Sequence, residues 1–325
     1  MKILLIRFSS IGDIVLTTPV IRCVKQQVKG AEVHYLTKPQ FSDLLAANPY
    51  VDKLHTLDES IFDTIASLRK ENFDFVIDLH NNQRTFLIKR LLFSKNKSFN
   101  KRNIEKWLLV NFRLNKFLHT HVVQRYLDAA KPLGVVNDHK GLEYFIPKDE
   151  EVNLNELPSI YRSGYIGWVI AAAHGTKRLP IHKVISVCKK LKTPVVLLGG
   201  EKEMEAGEEI AGAAGEHVFN ACGKFTLNQS ASLVKQAFKI ITNDTGLMHI
   251  AAAFQKPVIS LWGNTVPEFG MYPYYGDSGM QAEILEVKGL NCRPCSKIGY
   301  AECPKGHFKC MELIDESRIA ELLSA

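Results

Sequence analysis

An α/β fold made of two parallel-sheet halves is predicted by three features of the 325-residue sequence. Short β-branched or apolar runs alternate with helical stretches, the pattern of strands joined by crossover helices. The alternation lapses over residues 149–161 and then restarts. Both halves also contain a strand that runs through a tight polar loop into a helix, at residues 2–13 and again at residues 240–254. Such a turn aims the free N–H groups of a helix N-terminus at the carboxyl end of a sheet, where an anion would sit. Two facing halves of this kind form a cleft with an anion site on one wall and a carboxylate on the other.

In order, the first half is expected to have strands at 2–7, 32–36 and 73–79 and helices at 12–28, 39–47 and 59–71. The last strand ends at the polar loop His80, Asn81, Asn82, Gln83, Arg84. A basic segment follows, helical but irregular, and then a helix at 124–133 closed by Gly134. Residues 149–161 are acidic and polar, with Pro147 and Pro158 near their ends, and are read as the linker. The domains are therefore expected at 1–155 and 156–325. In the second half, strands are expected at 165–172, 194–198, 240–242 and 257–263, and helices at 180–191, 201–214, 226–237 and 247–254. A short amphipathic helix at 315–324 is free to pack back onto the first domain. No internal repeat is visible.

With 46% hydrophobic residues the chain can bury two ordinary cores. No run approaches the ~20 apolar residues of a membrane span. The opening apolar run is broken by Arg7 and followed by Ser9, Ser10 and Asp13, unlike a signal peptide. A cytoplasmic protein is expected. The net charge of +7 is uneven: eleven Lys and Arg lie between Arg84 and Arg125 against one acid, Glu105. Phe86, Phe93, Trp107, Phe112 and Phe117 are interleaved with them. This mixture suits an anionic amphiphile or a negatively charged membrane face, or is simply a solvated basic surface. Nucleic acid is not expected, because no zinc-finger, RNP or KH signature accompanies the charge.

Cys292, Cys295, Cys303 and Cys310 cluster with C-x2-C-x7-C-x6-C spacing, and His307 lies among them. In a cytosolic protein this spacing favours a reduced site over disulfides. A structural zinc is one reading, and free or redox-labile thiols are the other.

Neither half shows G-x-G-x-x-G after its first strand, which argues against a nicotinamide or flavin enzyme, and no Walker-A lysine is present. Asp13, in a first helical turn, is either an acid favoured by the helix dipole or a carboxylate placed to take a proton from a hydroxyl. Lys177 and Arg178 place cations on a strand-to-helix loop where a diphosphate would lie. Glu201 and Glu203 follow the strand at 194–198, where an acid can hold ribose hydroxyls.

Together these pieces resemble the bacterial ADP-heptose–lipopolysaccharide heptosyltransferases of glycosyltransferase family 9. The resemblance rests on Ser9-Ser10-Ile11-Gly12-Asp13, Asp78-Leu79-His80-Asn81-Asn82 and Thr176-Lys177-Arg178-Leu179-Pro180. It continues through Gly199-Gly200-Glu201-Lys202-Glu203 and Gly223-Lys224-Phe225-Thr226-Leu227, and is strongest at residues 243–253, from Asn243-Asp244-Thr245-Gly246 through His249. It implies a GT-B fold, two Rossmann-like domains facing across a cleft, and an inverting transfer of heptose from ADP-heptose to a Kdo- or heptose-bearing acceptor of the lipopolysaccharide inner core. No catalytic cofactor is implied. Asp13 would be the general base, and Lys177 would neutralise the departing ADP. Thr245, Gly246 and Leu247 would offer N–H groups to the phosphates, and Asp244 would hold a sugar hydroxyl or fix the loop. Glu203 or Glu201 would bind ribose, and Phe225 would lie near adenine. Ser10, Gly12, Thr176 and His249 complete the expected donor side, and Arg84 is expected on the acceptor side. An anionic glycolipid on the inner face of the cytoplasmic membrane would be the partner, with peripheral attachment. A family member with another nucleotide sugar or glycan acceptor, or a non-catalytic binder, is the alternative. The aromatic usual after the Lys-Arg pair is Leu179 here, which touches packing rather than chemistry.

Overall fold

The computed structural model describes residues 1–116 and 120–324; Phe117 of the basic segment and the terminal Ala325 lie outside them. The first half contains β1 (Lys2–Ile6), α1 (Ile11–Val15), α2 (Thr18–Gln27), β2 (Glu32–Thr37), β3 (Lys53–Thr56), α3 (Ile61–Arg69), β4 (Phe75–Asp78), α4 (Gln83–Leu92), β5 (Lys95–Ser98), α5 (Asn103–Phe112) and α6 (Val122–Leu127). Its strands form a parallel sheet ordered β3-β2-β1-β4-β5. The second half contains β6 (Ile166–Val169), α7 (Ile181–Lys190), β7 (Val195–Leu198), α8 (Met204–Ala214), β8 (Val218–Asn220), α9 (Leu227–Gln236), β9 (Lys239–Asn243), α10 (Gly246–Ala253), β10 (Val258–Trp262), β11 (Glu283–Glu286), α11 (Lys309–Glu312) and α12 (Glu316–Ser324). Its parallel sheet is ordered β11-β10-β9-β6-β7-β8.

Both sheets are covered on both faces, so their central strands are apolar throughout. In β1, Ile3 and Leu5 join the core beneath α2, while Leu4 and Ile6 join the core beneath α3 and α4. The α2 core continues without a break into the second half, through Leu247, Met248 and Ile250 of α10. Helix α1 packs directly against α10.

Several local expectations are corrected. The helix expected at 12–28 is two helices, broken before Pro19, whose ring fits a first helical turn and not a helix interior. The stretch 39–47 forms a 3-10 turn, Pro39–Leu44, instead of a helix. The 149–161 segment is ordered along the second half: Val152 N–H donates to Ser232 Oγ at 3.0 Å, and the Tyr161 hydroxyl donates to the Glu216 carbonyl at 3.0 Å. The last helix does not return to the first domain. Ile319 and Leu323 of α12 sit in the core beneath α7, and Glu316 pairs with Lys183 at 3.0 Å. Among the described residues no helix is long and apolar enough to cross a membrane.

Candidate active site

Arg7 directly follows strand β1, and the loop after it returns a carboxylate to that arginine. Arg7 donates Nε to the Ser9 carbonyl at 2.6 Å and Nη1 to the Leu79 carbonyl at 2.7 Å. Its Nη2 lies 2.8 Å from Asp13 Oδ1. Asp13 Oδ2 accepts from Ser10 Oγ at 2.9 Å and Ser10 N–H at 3.2 Å, and the Tyr126 hydroxyl donates to Oδ1 at 3.3 Å. Burial alone would push this carboxyl up. The Arg7 charge and the Ser10 hydrogen bonds outweigh it and hold Asp13 below the usual carboxylate range. The group is thus an ionised acceptor at neutral pH, fixed in direction by a cation behind it. His80 packs on Phe8 and stays neutral, because burial and the nearby Arg7 push its pKa down to about 4.

The second strand-loop-helix turn meets the first face to face. A Cβ on Gly12 would lie 2.6 Å from His249 Cδ2, and one on Gly246 would lie 2.6 Å from Ile11 Cγ2. Both glycines are therefore required by close approach rather than by backbone angle. His249 is 2% exposed, its Nδ1 has no hydrogen-bond partner among the described residues, and burial pushes its pKa down to about 4. It is a neutral wedge at the seam between the halves. Gly12→Ala is expected to cost about 1–3 kcal/mol through overpacking and to lower transfer rate by widening the seam. A melting curve and turnover measured on the same sample check this.

On the second wall, Lys177 Nζ lies 2.6 Å from Asp244 Oδ2, which also accepts from Thr265 Oγ1 at 3.0 Å. The two residues expected to serve leaving group and sugar are thus one ion pair. It sits at the mouth of α10, where Thr245 is an extended N-cap and Leu247 is buried. Asn243 holds this corner: its amide donates to the carbonyls of Val169, Ile170 and Ala171, and its oxygen accepts from Leu179 N–H at 3.2 Å. Glu203 is buried, accepts from Gly200 N–H at 3.0 Å and pairs with Arg178 at 2.8 Å. Glu201 is exposed and has no ion pair among the described residues. Gly223 N–H donates to the Gly199 carbonyl at 3.1 Å, which brings the Glu201 turn beside the segment carrying Phe225.

Three assignments fall elsewhere. Thr176 is buried, and its hydroxyl bonds Asn264 Oδ1 and the Tyr300 carbonyl at 3.0 Å each while accepting from Tyr300 N–H. Its role is to anchor the cysteine loop. Arg84 is exposed and lines a separate cavity of about 370 Å³ with Asp58 and Glu59, an arrangement poor for an anion. The four clustered cysteines are unbridged. Cys295 Sγ donates to the Cys292 carbonyl at 2.9 Å, and Cys292 Sγ lies 3.8 Å from His307 Nε2. Among the described residues no three of these groups gather their ligand atoms within 4.8 Å; His34, His55 and Glu71 do, but Glu71 is held there by Lys2 and Lys53.

Sequence reasoning missed Arg7 and Tyr126 as partners of Asp13, and Asn243 as a clamp. A charged residue directly after the apolar run Ile3–Ile6 was the available signal for Arg7; Tyr126 had none, lying 113 positions away.

The family model for glycosyltransferase family 9 (heptosyltransferase) matches residues 61–303. A lipopolysaccharide heptosyltransferase 1 from Campylobacter coli is 28% identical over 82% of this chain and 84% of its own. A lipooligosaccharide heptosyltransferase 2 from Haemophilus influenzae is 27% identical over 92% of this chain and 93% of its own. The solved E. coli ADP-heptose lipopolysaccharide heptosyltransferase II superposes with a TM-score of 0.77 at 23% identity, covering 100% of this chain and 98% of that one. With two parallel-sheet domains meeting at paired strand-loop-helix turns, this chain has the GT-B fold and is a glycosyltransferase belonging to glycosyltransferase family 9, the heptosyltransferases.

Proposed function

We propose that the chain transfers a heptose from ADP-heptose to a Kdo- or heptose-bearing acceptor of the lipopolysaccharide inner core, with inversion and without a catalytic metal. One observation carries the reading. An ionised, rigidly held carboxylate, Asp13, and a cation at a helix N-terminus, Lys177 at α10, stand on opposite walls of one glycine-lined seam. A base on one wall and a diphosphate on the other fit a single displacement. The acceptor oxygen forms its bond to the anomeric carbon as the bond to ADP breaks, and Asp13 takes the hydroxyl proton. Lys177 then turns from Asp244 toward the diphosphate. The N–H groups of Thr245, Gly246 and Leu247 share the charge that develops there.

The basic segment supports a peripheral attachment to an anionic membrane. Phe93, Ile104 and Phe86 are 82%, 74% and 66% exposed among its cations. A family member using another nucleotide sugar is the second reading. Retention of both Asp13 and Lys177 counts against a mere binder.

The deciding experiment measures ADP release from ADP-heptose with and without Kdo-lipid A, and then the acceptor mass. Acceptor-dependent release with one added heptose supports the reading. No release from protein that binds ADP redirects it to another sugar or acceptor.

The soft thiolate set on the cysteine loop is where a structural zinc would be held, although the loop would have to close to bring Cys292, Cys295, Cys303 and Cys310 together. On this reading purified protein carries one zinc per chain, and Cys292→Ser loses it and melts earlier. Substoichiometric metal in a stable, active protein leaves the four as free thiols.

A further inference from the structure

Strand β2 and the edge strand β3 place two imidazoles on one face of the first sheet. Side chains two apart along a strand share a face, so Glu32 and His34 of β2 point the same way. The register sets His55 of β3 opposite Leu36, diagonally beside His34. His34 Nδ1 lies 2.9 Å from His55 Nε2, and the two rings stack with centroids 5.1 Å apart. Phe73 meets both rings edge-on, at 5.1 Å from His34 and 6.2 Å from His55. Glu71 reaches the pair from the turn between α3 and β4. One of its carboxylate oxygens and one nitrogen of each ring all lie within 4.8 Å of one another.

His34 is fully buried, and its other nitrogen, Nε2, lies 2.9 Å from Glu32 Oε1. An ionised carboxylate only accepts, so in the neutral ring Nε2 carries the proton and Nδ1 turns a lone pair toward His55. A carboxylate behind an imidazole is the usual means of orienting a metal-binding histidine. Two imidazoles and a carboxylate suit a zinc-type cation, which completes its shell with water. Calcium and magnesium favour oxygen ligands throughout. Ligand atoms on a tetrahedral zinc stand about 3.3–3.6 Å apart, between the 2.9 Å that separates the two histidines and the 4.8 Å that bounds the whole set. Lys2 and Lys53 compete for Glu71, but weakly. The Lys53 side chain is 54% exposed and can turn into water, and Lys2 keeps Glu32 at 3.6 Å when Glu71 leaves it. Ion pairs of this exposed kind contribute little.

We infer that His34, His55 and Glu71 form a site for a zinc-type divalent cation, oriented by Glu32, that ties β3 and the α3–β4 turn to β2. The site stands near the amino ends of the strands, whereas Asp13 follows the carboxyl end of β1, so the cation takes no part in sugar transfer. It acts on an edge strand of four residues that is paired on one side only. The inference is independent of the sugar donor and acceptor, and of any metal on the cysteine loop.

Zinc titrated calorimetrically into the untagged full chain tests it, with cobalt(II) as the optical probe. Cobalt held by cysteines shows thiolate-to-metal charge-transfer absorption, and cobalt held by two histidines and a glutamate does not. A thiolate-free cobalt site is expected, retained in Cys292→Ser and lost in His55→Ala. Glu32→Gln should weaken zinc about 10–100-fold, the usual effect of removing a group that orients a ligand. Lys53→Gln should bind zinc more tightly than the parent, because it frees Glu71 of a competing ammonium. Zinc should raise the melting temperature of Cys292→Ser and leave that of the Cys292→Ser, His55→Ala double variant unchanged. Turnover should stay within twofold of the parent in His55→Ala, Glu32→Gln and Lys53→Gln. Equal binding with and without His55, or no thiolate-free binding in folded Cys292→Ser, overturns the proposal. Where His55→Ala fails to fold, the opposite shifts of Glu32→Gln and Lys53→Gln decide it, and unchanged zinc affinity in both rejects the site.

Discussion

Replacing Asp13 with asparagine is expected to lower kcat by about 10²–10⁴-fold, the usual contribution of a general base, while ADP-sugar binding is kept. The carboxylate is ionised and fixed in direction, by Arg7 at 2.8 Å and Ser10 at 2.9 Å. The same contacts set its pH behaviour. Asp13 titrates below the ordinary aspartate value, because Arg7 and Ser10 outweigh the effect of burial. The acid limb of kcat/KM due to this group should therefore fall below about pH 4. The Arg7–Asp13 pair contributes stability that is present above the unfolded aspartate pKa and is lost as pH falls through the depressed folded one. Asparagine removes that contribution and leaves a buried guanidinium facing a neutral amide. A loss of about 3 kcal/mol is expected at neutral pH, softened by the Ser9 and Leu79 carbonyls that still hold Arg7. Turnover, ADP calorimetry and chemical denaturation on one preparation separate these effects. Normal turnover in folded Asp13→Asn protein would remove Asp13 as the base.

Lys177→Ala should cost about 10²–10³-fold in kcat, as for other preorganised charges at a leaving group, and should also weaken donor binding. The weakening has a particular cause. Lys177 neutralises Asp244 at 2.6 Å, so the variant leaves an unpaired carboxylate at the proposed diphosphate site. The paired change Lys177→Ala with Asp244→Asn should therefore regain part of the lost donor affinity but not the lost rate. Coupling of this sign shows two residues acting through one charge. Strictly additive losses would mean that the pair is broken in solution and that Lys177 acts alone.

Most of the frame was legible before the fold was seen, and the omissions share one property. The central strands β1, β4, β6, β7, β9 and β10 read as apolar runs because helices cover both faces of each sheet. The strands that escaped notice, β3, β5, β8 and β11, are the four sheet edges. Lys95-Asn96-Lys97-Ser98 carries no apolar residue at all, and an edge position demands none.

The site divides in a similar way. Asp13, Lys177, Asp244 and the glycines at 12 and 246 stand out in the sequence, because each sits at a strand-to-helix turn, where local pattern and chemistry coincide. How they are used depends on residues far away in the chain. The sequence places Asp13 in the turn and says nothing of its proton affinity; the fold puts Arg7 against it and lowers it. Thr176 looked like a donor contact, and the Tyr300 strap made it an anchor. Arg84 looked like the acceptor cation because it follows a strand, yet it opens beside Asp58 and Glu59. The amphipathic tail needed an apolar surface, and sequence did not say which. Lys183 and Ser186 of α7, facing Glu316, selected the second domain. By itself, then, the sequence determined the two-sheet architecture, its central strands and the turns that carry the chemistry, since these follow from burial period and local backbone demands. Ion pairing, proton affinity and the docking of edges and tail were decided by tertiary structure, because they depend on through-space neighbours that chain order does not record.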